Sequence, residues 1–152
     1  MEKVIINKPG KYEIDLRLRE EGQTMEWLGV VEAMKPGSYE VFLRAFHEKP
    51  KTTGHITIKG VAKNGAQVKI SGLVRIEKEA VESDSSLTMK VLLVDKKSMA
   101  TAEPELEILT NKVKASHAAT VGRVDEEELF YLGSRGIEKE KAEEMIIKGF
   151  LH

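Results

Sequence analysis

Apolar and polar residues alternate in short runs along most of the chain. Clear runs are YEIDLRL at 12–18, YEVFLRAF at 39–46 and QVKISGLVRI at 67–76. A period of two places successive side chains on opposite faces of a β-strand, and it predicts one apolar and one wet face for each run. In the third run the predicted inward set is Val68, Ile70, Gly72, Val74 and Ile76. The pattern therefore predicts strands from Val4 to about Val113.

Turn-forming residues separate these runs, as in Lys8-Pro9-Gly10, Lys35-Pro36-Gly37-Ser38 and Asn64-Gly65. Many short strands with turns between them are typical of a sandwich, a barrel or a solenoid. The sequence contains no exact repeat of fixed length, so periodicity alone leaves these three architectures open. The fold class that follows from the pattern is mostly β.

The pattern changes after Gly122. Asp125 is a good N-cap residue, and Glu128 stands where the reciprocal partner of a capping box belongs. This predicts a helix from Glu126 to about Leu132. A second apolar stripe at three- and four-residue spacing predicts another helix, on which lie Ala142, Met145, Ile146 and Phe150. The tail should be a helix-turn-helix.

Length and composition favour one globular domain. The chain has 152 residues, of which 41% are hydrophobic and 32% charged, a composition that suits a folded core. Twenty-four basic residues against 25 acidic ones give a formal charge of -1. With no strong positive field, nucleic acid is not expected as a partner.

Several kinds of site and location are excluded or disfavoured by what the sequence lacks. There is no cysteine, which excludes disulfides, thiolate catalysis and any cluster held by cysteines of this chain. No Gly-Lys-Ser/Thr phosphate loop is present, which disfavours an intrinsic nucleotide site. No apolar run approaches about 18 residues and the start lacks a signal-peptide pattern. We expect a cytoplasmic protein with no membrane contact.

Two ordered blocks then carry a family resemblance: KASHAATVG at 114–122 and LFYLGSRGI at 129–137. They resemble the SufB/SufD scaffold proteins of iron-sulfur cluster assembly. The likeness extends upstream through KGVAKNGAQVKISGLVRIEKEAVESDSS and PELEI, covering roughly 51–151. On these blocks the chain is identified as a short, cysteine-free, SufD-like member of that family, and the family's N-terminal helical domain is expected to be missing.

The resemblance implies a right-handed parallel β-helix over 1–122 followed by a helical segment over 123–152. If each rung takes roughly 20 to 25 residues, as solenoid repeats do, about five rungs fit. The implied function is a non-catalytic scaffold that acts with a SufC-like ATPase. Because end rungs carry unpaired backbone groups, we expect a homodimer or association with a SufB/SufD-type partner.

His117 is the candidate metal ligand, because the resemblance assigns its counterpart to cluster assembly and imidazole binds iron. A single histidine cannot hold a cluster, so further ligands would come from another subunit or from Glu103, Glu105 and Glu107. We expect no resident cofactor. A transient iron ion or iron-sulfur cluster is the only metal group that the resemblance implies. The alternative role for His117 is to cap the last rung without metal.

The candidate partner-binding surface is the second block, where aromatic and Arg side chains are frequent interface anchors. The resemblance places the SufC-binding region there, with the residues Phe130, Tyr131, Ser134, Arg135 and Ile137. The alternative is simple packing of a short helix on the β body. We expect Phe130 or Leu129 in the core, Tyr131 or Arg135 accessible, and positive φ at Gly133 and Gly136.

Other residues and functions complete the expectations. Trp27 is predicted to be core, and His47, His55 and His152 are given no functional role. One alternative function is a divergent paralogue that keeps fold and association without cluster chemistry. Another is a β-helical enzyme acting on saccharides or acyl groups, which would need paired carboxylates or an acid-histidine set on one face.

Overall fold

Nine strands and two C-terminal helices form the fold in the computed structural model, which describes all residues from Met1 to His152. Helices are absent before Glu126, as the sequence pattern predicts. The elements are β1 (Glu2–Ile6), β2 (Gly10–Leu18), β3 (Thr24–Ala33), β4 (Ser38–His47), β5 (Thr53–Ala62), β6 (Gln67–Ile76), β7 (Asp84–Leu93), β8 (Met99–Ile108), β9 (Lys114–Arg123), α1 (Glu126–Ser134) and α2 (Lys139–Leu151).

The strands build a parallel β-solenoid with two sheets. Odd-numbered strands form one sheet in the order β1-β3-β5-β7-β9, called here the odd sheet, and even-numbered strands form the even sheet in the order β2-β4-β6-β8. Every pairing is parallel. Each coil therefore consists of two strands and two corners, which confirms the parallel β-helix implied by the family resemblance.

The coils are longer and fewer than the expected five rungs. Thr24, Thr53, Asp84 and Lys114 occupy one register position on successive odd strands, which gives 29 to 31 residues per coil. The same measure in the even sheet reaches 32 residues between Gln67 and Met99. A coil of two ten-residue strands plus two corners is longer than 20 to 25 residues, so the chain makes about four turns.

Inward side chains of the two sheets meet in one continuous core. The predicted alternation in β6 is confirmed, because Val68, Ile70, Val74 and Ile76 are buried. Gly72 shares their inward face at a point where the core is tight. A Cβ on Gly72 would lie 2.6 Å from the Met89 methyl carbon and 3.1 Å from a Leu87 methyl. Trp27 is buried in the same core, as predicted.

One corner of the solenoid contains a buried polar cluster. The Nδ1 atom of His47 lies 2.8 Å from the Thr52 hydroxyl, which lies 2.9 Å from the Ser83 hydroxyl. All three side chains are buried. Burial lowers the pKa of His47 to about 4, against an opposing attraction from Asp84. The imidazole is therefore neutral at pH 7.

The C-terminal helices pack unequally on the solenoid. The side chain of Asp125 accepts a hydrogen bond from the Glu127 amide, so the predicted N-cap is confirmed, while Glu128 makes no reciprocal bond. Helix α1 contains no buried residue, whereas α2 buries Ala142, Glu143 and Ile147. Gly133 lies within α1 and does not need positive φ; only Gly136, at +84°, does.

Two polar contacts and a small apolar cluster hold α2 against the odd sheet. Ile147 packs with Val61, Val94 and Val124 in a cluster separate from the main core. The ammonium of Lys59 donates to the carbonyl of Phe150 at 3.2 Å. Lys63 and the buried Glu143 form an ion pair at 3.8 Å. Helix α2 is thus the part of the helical segment that anchors it to the solenoid.

Candidate functional site

The last coil leaves one end of the solenoid open. Strands β8 and β9 each pair on one side only, with β6 and β7. No further coil covers the inward side chains of β8. One of them, Ile108, is therefore 40% exposed. On β9, Val121 is 42% exposed. This end combines free backbone edges with accessible apolar side chains.

His117 lies at this open end. It is the register partner of Leu87, which points into the core. Since register partners in a parallel sheet project to the same face, the imidazole continues the inward row Trp27, Ile56 and Leu87. No coil follows, so His117 is exposed. Its ring is available to a group that approaches the end of the solenoid.

The three candidate carboxylates do not lie with His117. Glu103, Glu105 and Glu107 are register partners of Ser71, Leu73 and Arg75, which lie on the outer face of the even sheet. Glu107 accepts a 2.7 Å hydrogen bond from Arg75. No group of three or more His, Asp or Glu side chains could hold a metal ion. The expectation that these carboxylates complete a site at His117 is wrong, because they face away from the solenoid interior.

Helix α1 presents an aromatic surface to solvent. Phe130 is 80% exposed and Tyr131 is 55% exposed. Of the two residues expected in the core, Leu129 is half-buried against the cluster that holds α2, and Phe130 faces solvent. Met145 of α2 is also exposed, at 45%. Phe130, Tyr131 and Met145 thus leave apolar area accessible on the helical segment.

The polar members of the predicted partner-binding set form a hydrogen-bonded group at the C-terminal end of α1. Arg135 donates to the Tyr131 hydroxyl at 2.9 Å, and its guanidinium lies 5.3 Å from the centre of that ring. The Ser134 hydroxyl donates to the Tyr131 carbonyl at 2.6 Å. Ile137 is half-buried, and its amide donates to Leu132 at the end of the helix. The structure thus brings Tyr131, Ser134 and Arg135 together.

The helical segment has a negative charge that the whole chain lacks. From Asp125 onward it contains eight acidic and four basic residues. Three of the acidic residues, Glu126, Glu127 and Glu128, occupy the first turn of α1, where they interact favourably with the helix dipole. The exposed aromatic residues Phe130 and Tyr131, called here the aromatic surface, therefore follow a negatively charged first turn on the same helix.

A corner network was not anticipated from the sequence. The carboxylate of Asp95 accepts hydrogen bonds from the amides of Asn64, Lys97 and Ser98 and from the Ser98 hydroxyl. These bonds, despite partial burial, lower the pKa of Asp95. The signal available in the sequence was the turn pair Asn64-Gly65. Its partner 31 positions later was not detectable without the coil length.

The depression on the outer face of the odd sheet does not offer the paired carboxylates that the enzymatic alternative needs. Glu26 and His55 are register partners on the outer face of the odd sheet, and with Thr57 and Lys59 they line a depression of about 290 Å³. It contains one carboxylate and not the pair that glycoside hydrolysis requires.

No helix of the chain is long and apolar enough to span a membrane.

Comparison with known proteins gives consistent matches over nearly the whole chain. A family model described as "SUF system FeS cluster assembly, SufBD core domain" matches residues 7–150. The iron-sulfur cluster assembly protein SufB of Bacillus subtilis is 35% identical over 134 residues, which are 88% of this chain and 29% of the relative. An iron-sulfur cluster assembly SufBD family protein of Staphylococcus epidermidis is 34% identical over 131 residues, covering 86% and 28%. The chain spans less than a third of the length of these curated relatives.

Proposed function

The chain belongs to the SufBD family of SUF-system iron-sulfur cluster assembly proteins, and from that premise we propose that it is a non-catalytic scaffold that docks a SufC-like ATPase. The observation that carries the docking proposal is the exposed α1 surface of Phe130, Tyr131 and Arg135. In this proposal ATP hydrolysis belongs to the partner. In this proposal the scaffold supplies the solenoid and a C-terminal helical segment that binds the ATPase.

Exposed aromatic side chains with a fixed Arg neighbour have the character of interface hot spots. Tyr131 and Arg135 are already joined in the free chain, so little side-chain entropy is lost when a partner covers them. The acidic first turn of α1 favours a partner whose contact surface is basic around an apolar pocket. Such a complex should form more slowly at high salt.

The docking proposal is tested by mixing the purified chain with its cognate ATPase and measuring the affinity. Tyr131→Ala and Arg135→Ala should each weaken the complex by about 1–2 kcal/mol, and Phe130→Ala by at least as much. Phe42→Ala is the matched control, because this aromatic is exposed on the outer face of the even sheet, far from α1 along the chain. No complex with the intact chain would contradict the proposal.

We also propose self-association through the open end of the solenoid. The exposed apolar residues and free strand edges of β8 and β9 support it, since such edges need a cover. The outer face of β8 carries the acidic row that begins at Glu103, and Pro104 on the same strand has no amide hydrogen to donate. On β9, by contrast, the side chains of Ala118, Ala119 and Thr120 are small and uncharged. These features favour β9 as the strand that contacts a second copy or a SufB/SufD-type partner.

His117 is proposed as a ligand for transient iron or a cluster at that association surface. Its support is its accessible position in the inward row of β9. Because this chain has no group of three or more His, Asp or Glu side chains that could hold a metal ion, the remaining ligands would come from the associated subunit. The metal is here a cargo and not a resident cofactor.

The metal proposal is tested by anaerobic reconstitution followed by iron analysis and absorbance. His117→Ala should lose most of the bound iron, whereas His55→Ala, at an exposed histidine on another face, should not. Equal iron binding by His117→Ala would remove the assignment. Docking of the ATPase without any iron binding would favour the divergent paralogue.

A further inference from the structure

Hydrogen bonds to the two neighbouring coils hold the corner between β5 and β6. We call the contacts of Asn64 and Gly65 with Met34, Asp95 and Ser98 the corner lock. The amide of Asn64 donates to Asp95 Oδ2 at 2.6 Å in the next coil, and the Asn64 side-chain amide donates to the Met34 carbonyl at 2.8 Å in the preceding coil. The amide of Gly65 donates to the Ser98 hydroxyl at 3.2 Å. Both turn residues have positive φ, +61° and +79°. One turn is thus tied to the coils above and below it.

The same two residues form a chemically reactive pair. Asn64-Gly65 is the only Asn-Gly sequence in the chain. The Gly65 nitrogen can attack the Asn64 side-chain carbonyl carbon with loss of its proton, and the bond from that carbon to Nδ2 breaks as ammonia leaves. Water then opens the resulting succinimide to give aspartate or isoaspartate at position 64. The small Gly65 offers no side chain that would hinder this attack, unlike the Lys that follows Asn7 and Asn111.

We propose that Asn64 is a latent deamidation site that the Met34, Asp95 and Ser98 contacts hold unreactive in the folded chain. The attacking nitrogen of Gly65 is engaged by Ser98, and the leaving amide of Asn64 is engaged by Met34. Both bonds must break before the ring can close. Asn64 is exposed to solvent, so the barrier comes from these contacts and not from exclusion of water.

Deamidation of Asn64 would weaken the same corner whose hydrogen bonds slow the reaction in the folded chain. A carboxylate at position 64 cannot donate to the Met34 carbonyl, so the hydrogen bond to the preceding coil would be lost. Isoaspartate would in addition lengthen the backbone of the turn by one carbon. The Asp95 carbonyl also accepts a 3.1 Å bond from Arg123 at the end of β9. The damage would therefore reach the junction between the solenoid and the helical segment.

The experiment follows the acid product at each asparagine by peptide mapping of the full chain during incubation at mildly alkaline pH. Breaking two hydrogen bonds should make Asn64 react roughly tenfold or more slowly in the native chain than in the same chain in urea. Ser98→Ala should accelerate the native reaction roughly two- to tenfold. Ser71→Ala, on the outer face of β6, is the matched control, and Asn7 and Asn111 are internal references.

Equal rates in the native and unfolded chain would overturn the proposal, and so would an unchanged rate in a folded Ser98→Ala variant. If Ser98→Ala fails to fold, amide hydrogen exchange of the intact chain decides the matter. The Gly65 amide should then be protected from exchange. An unprotected Gly65 amide would contradict the corner lock directly.

Discussion

At the scale of single residues, position in the coil decides what a side chain does. Trp27, Ile56, Leu87 and His117 occupy one inward row on four successive odd strands. The first three are core and the fourth is accessible, although all four project the same way. The alternation of the sequence predicted the inward positions of β6, yet we did not predict burial of His47, a polar residue at the end of β4.

His47 provides a test of the corner through pH. Its folded pKa is about 4, below the ordinary value of 6.5, so the unfolded chain binds a proton more readily between these two values. Stability from this residue is complete above pH 6.5 and is lost as the pH falls towards 4. We expect a loss of about 1 kcal/mol in the free energy of unfolding between pH 7 and 5.5.

The measurement is urea unfolding at both pH values for the native chain and for His47→Gln, which does not titrate. The variant should show a smaller change between the two values, even if it is less stable throughout. His55→Gln, at an exposed histidine, should keep the native dependence. The same pH dependence in His47→Gln and the native chain would contradict the assignment.

At the scale of elements, the sequence predicted the strands and the start of α1, but not the length of a coil or the exposure of the α1 side chains. Ten-residue strands with one apolar face are visible as alternation, and Asp125 marks the start of α1 in both sequence and structure. The coil length was not visible, because inward rows contain unlike residues and the corners differ in length. The exposure of Phe130 was also hidden, since nine residues of helix are too few for a clear apolar stripe.

The docking of α2 yields a prediction at this scale. Ile147→Ala removes a nearly buried side chain from a cluster of only four buried residues. It should weaken attachment of the helical segment by about 2–4 kcal/mol. Because the cluster is separate from the main core, the solenoid should remain folded. Met145→Ala, on an exposed side chain of the same helix, should have little effect.

Limited proteolysis measures this loss, with cleavage after Lys139, Lys141 or Lys148 reporting release of the helices. Trp27 fluorescence reports the solenoid core in parallel. Cleavage that accelerates in Ile147→Ala with unchanged fluorescence is the expected result. Resistance equal to that of the native chain would show that the two polar contacts of Lys59 and Lys63 suffice to hold α2 in place.

At the scale of the whole molecule, the two regions that define the candidate site lie on different units. The open end belongs to the solenoid, and the aromatic surface belongs to the helical segment that follows it. The family blocks of the sequence lie in these two regions, because one block lies in β9 and the other covers most of α1 and the turn after it. The sequence could not show that Glu103, Glu105 and Glu107 turn away from His117, since their direction depends on the sheet that each strand joins.

Self-association is the prediction that belongs to this scale. Ala119→Lys places a charge among the inward residues of β9, where Val121 is also accessible. It should shift the chain towards the monomer in sedimentation equilibrium, because burying an unpaired charge costs several kcal/mol. Ser71→Lys, in the middle of the even sheet, should associate as the native chain does. A native chain that stays monomeric at every concentration would contradict the proposal.

The constant strand length has a further consequence for how such a molecule can change size. Seven of the nine strands are ten residues long, excluding β1 and β2, while differences in coil length fall in the corners. An added or deleted residue in a corner leaves the register of both sheets intact, whereas one within a strand would turn an inward row outward. A whole coil of about 30 residues is accordingly a unit of growth: its duplication would lengthen the solenoid and preserve the two terminal surfaces unchanged.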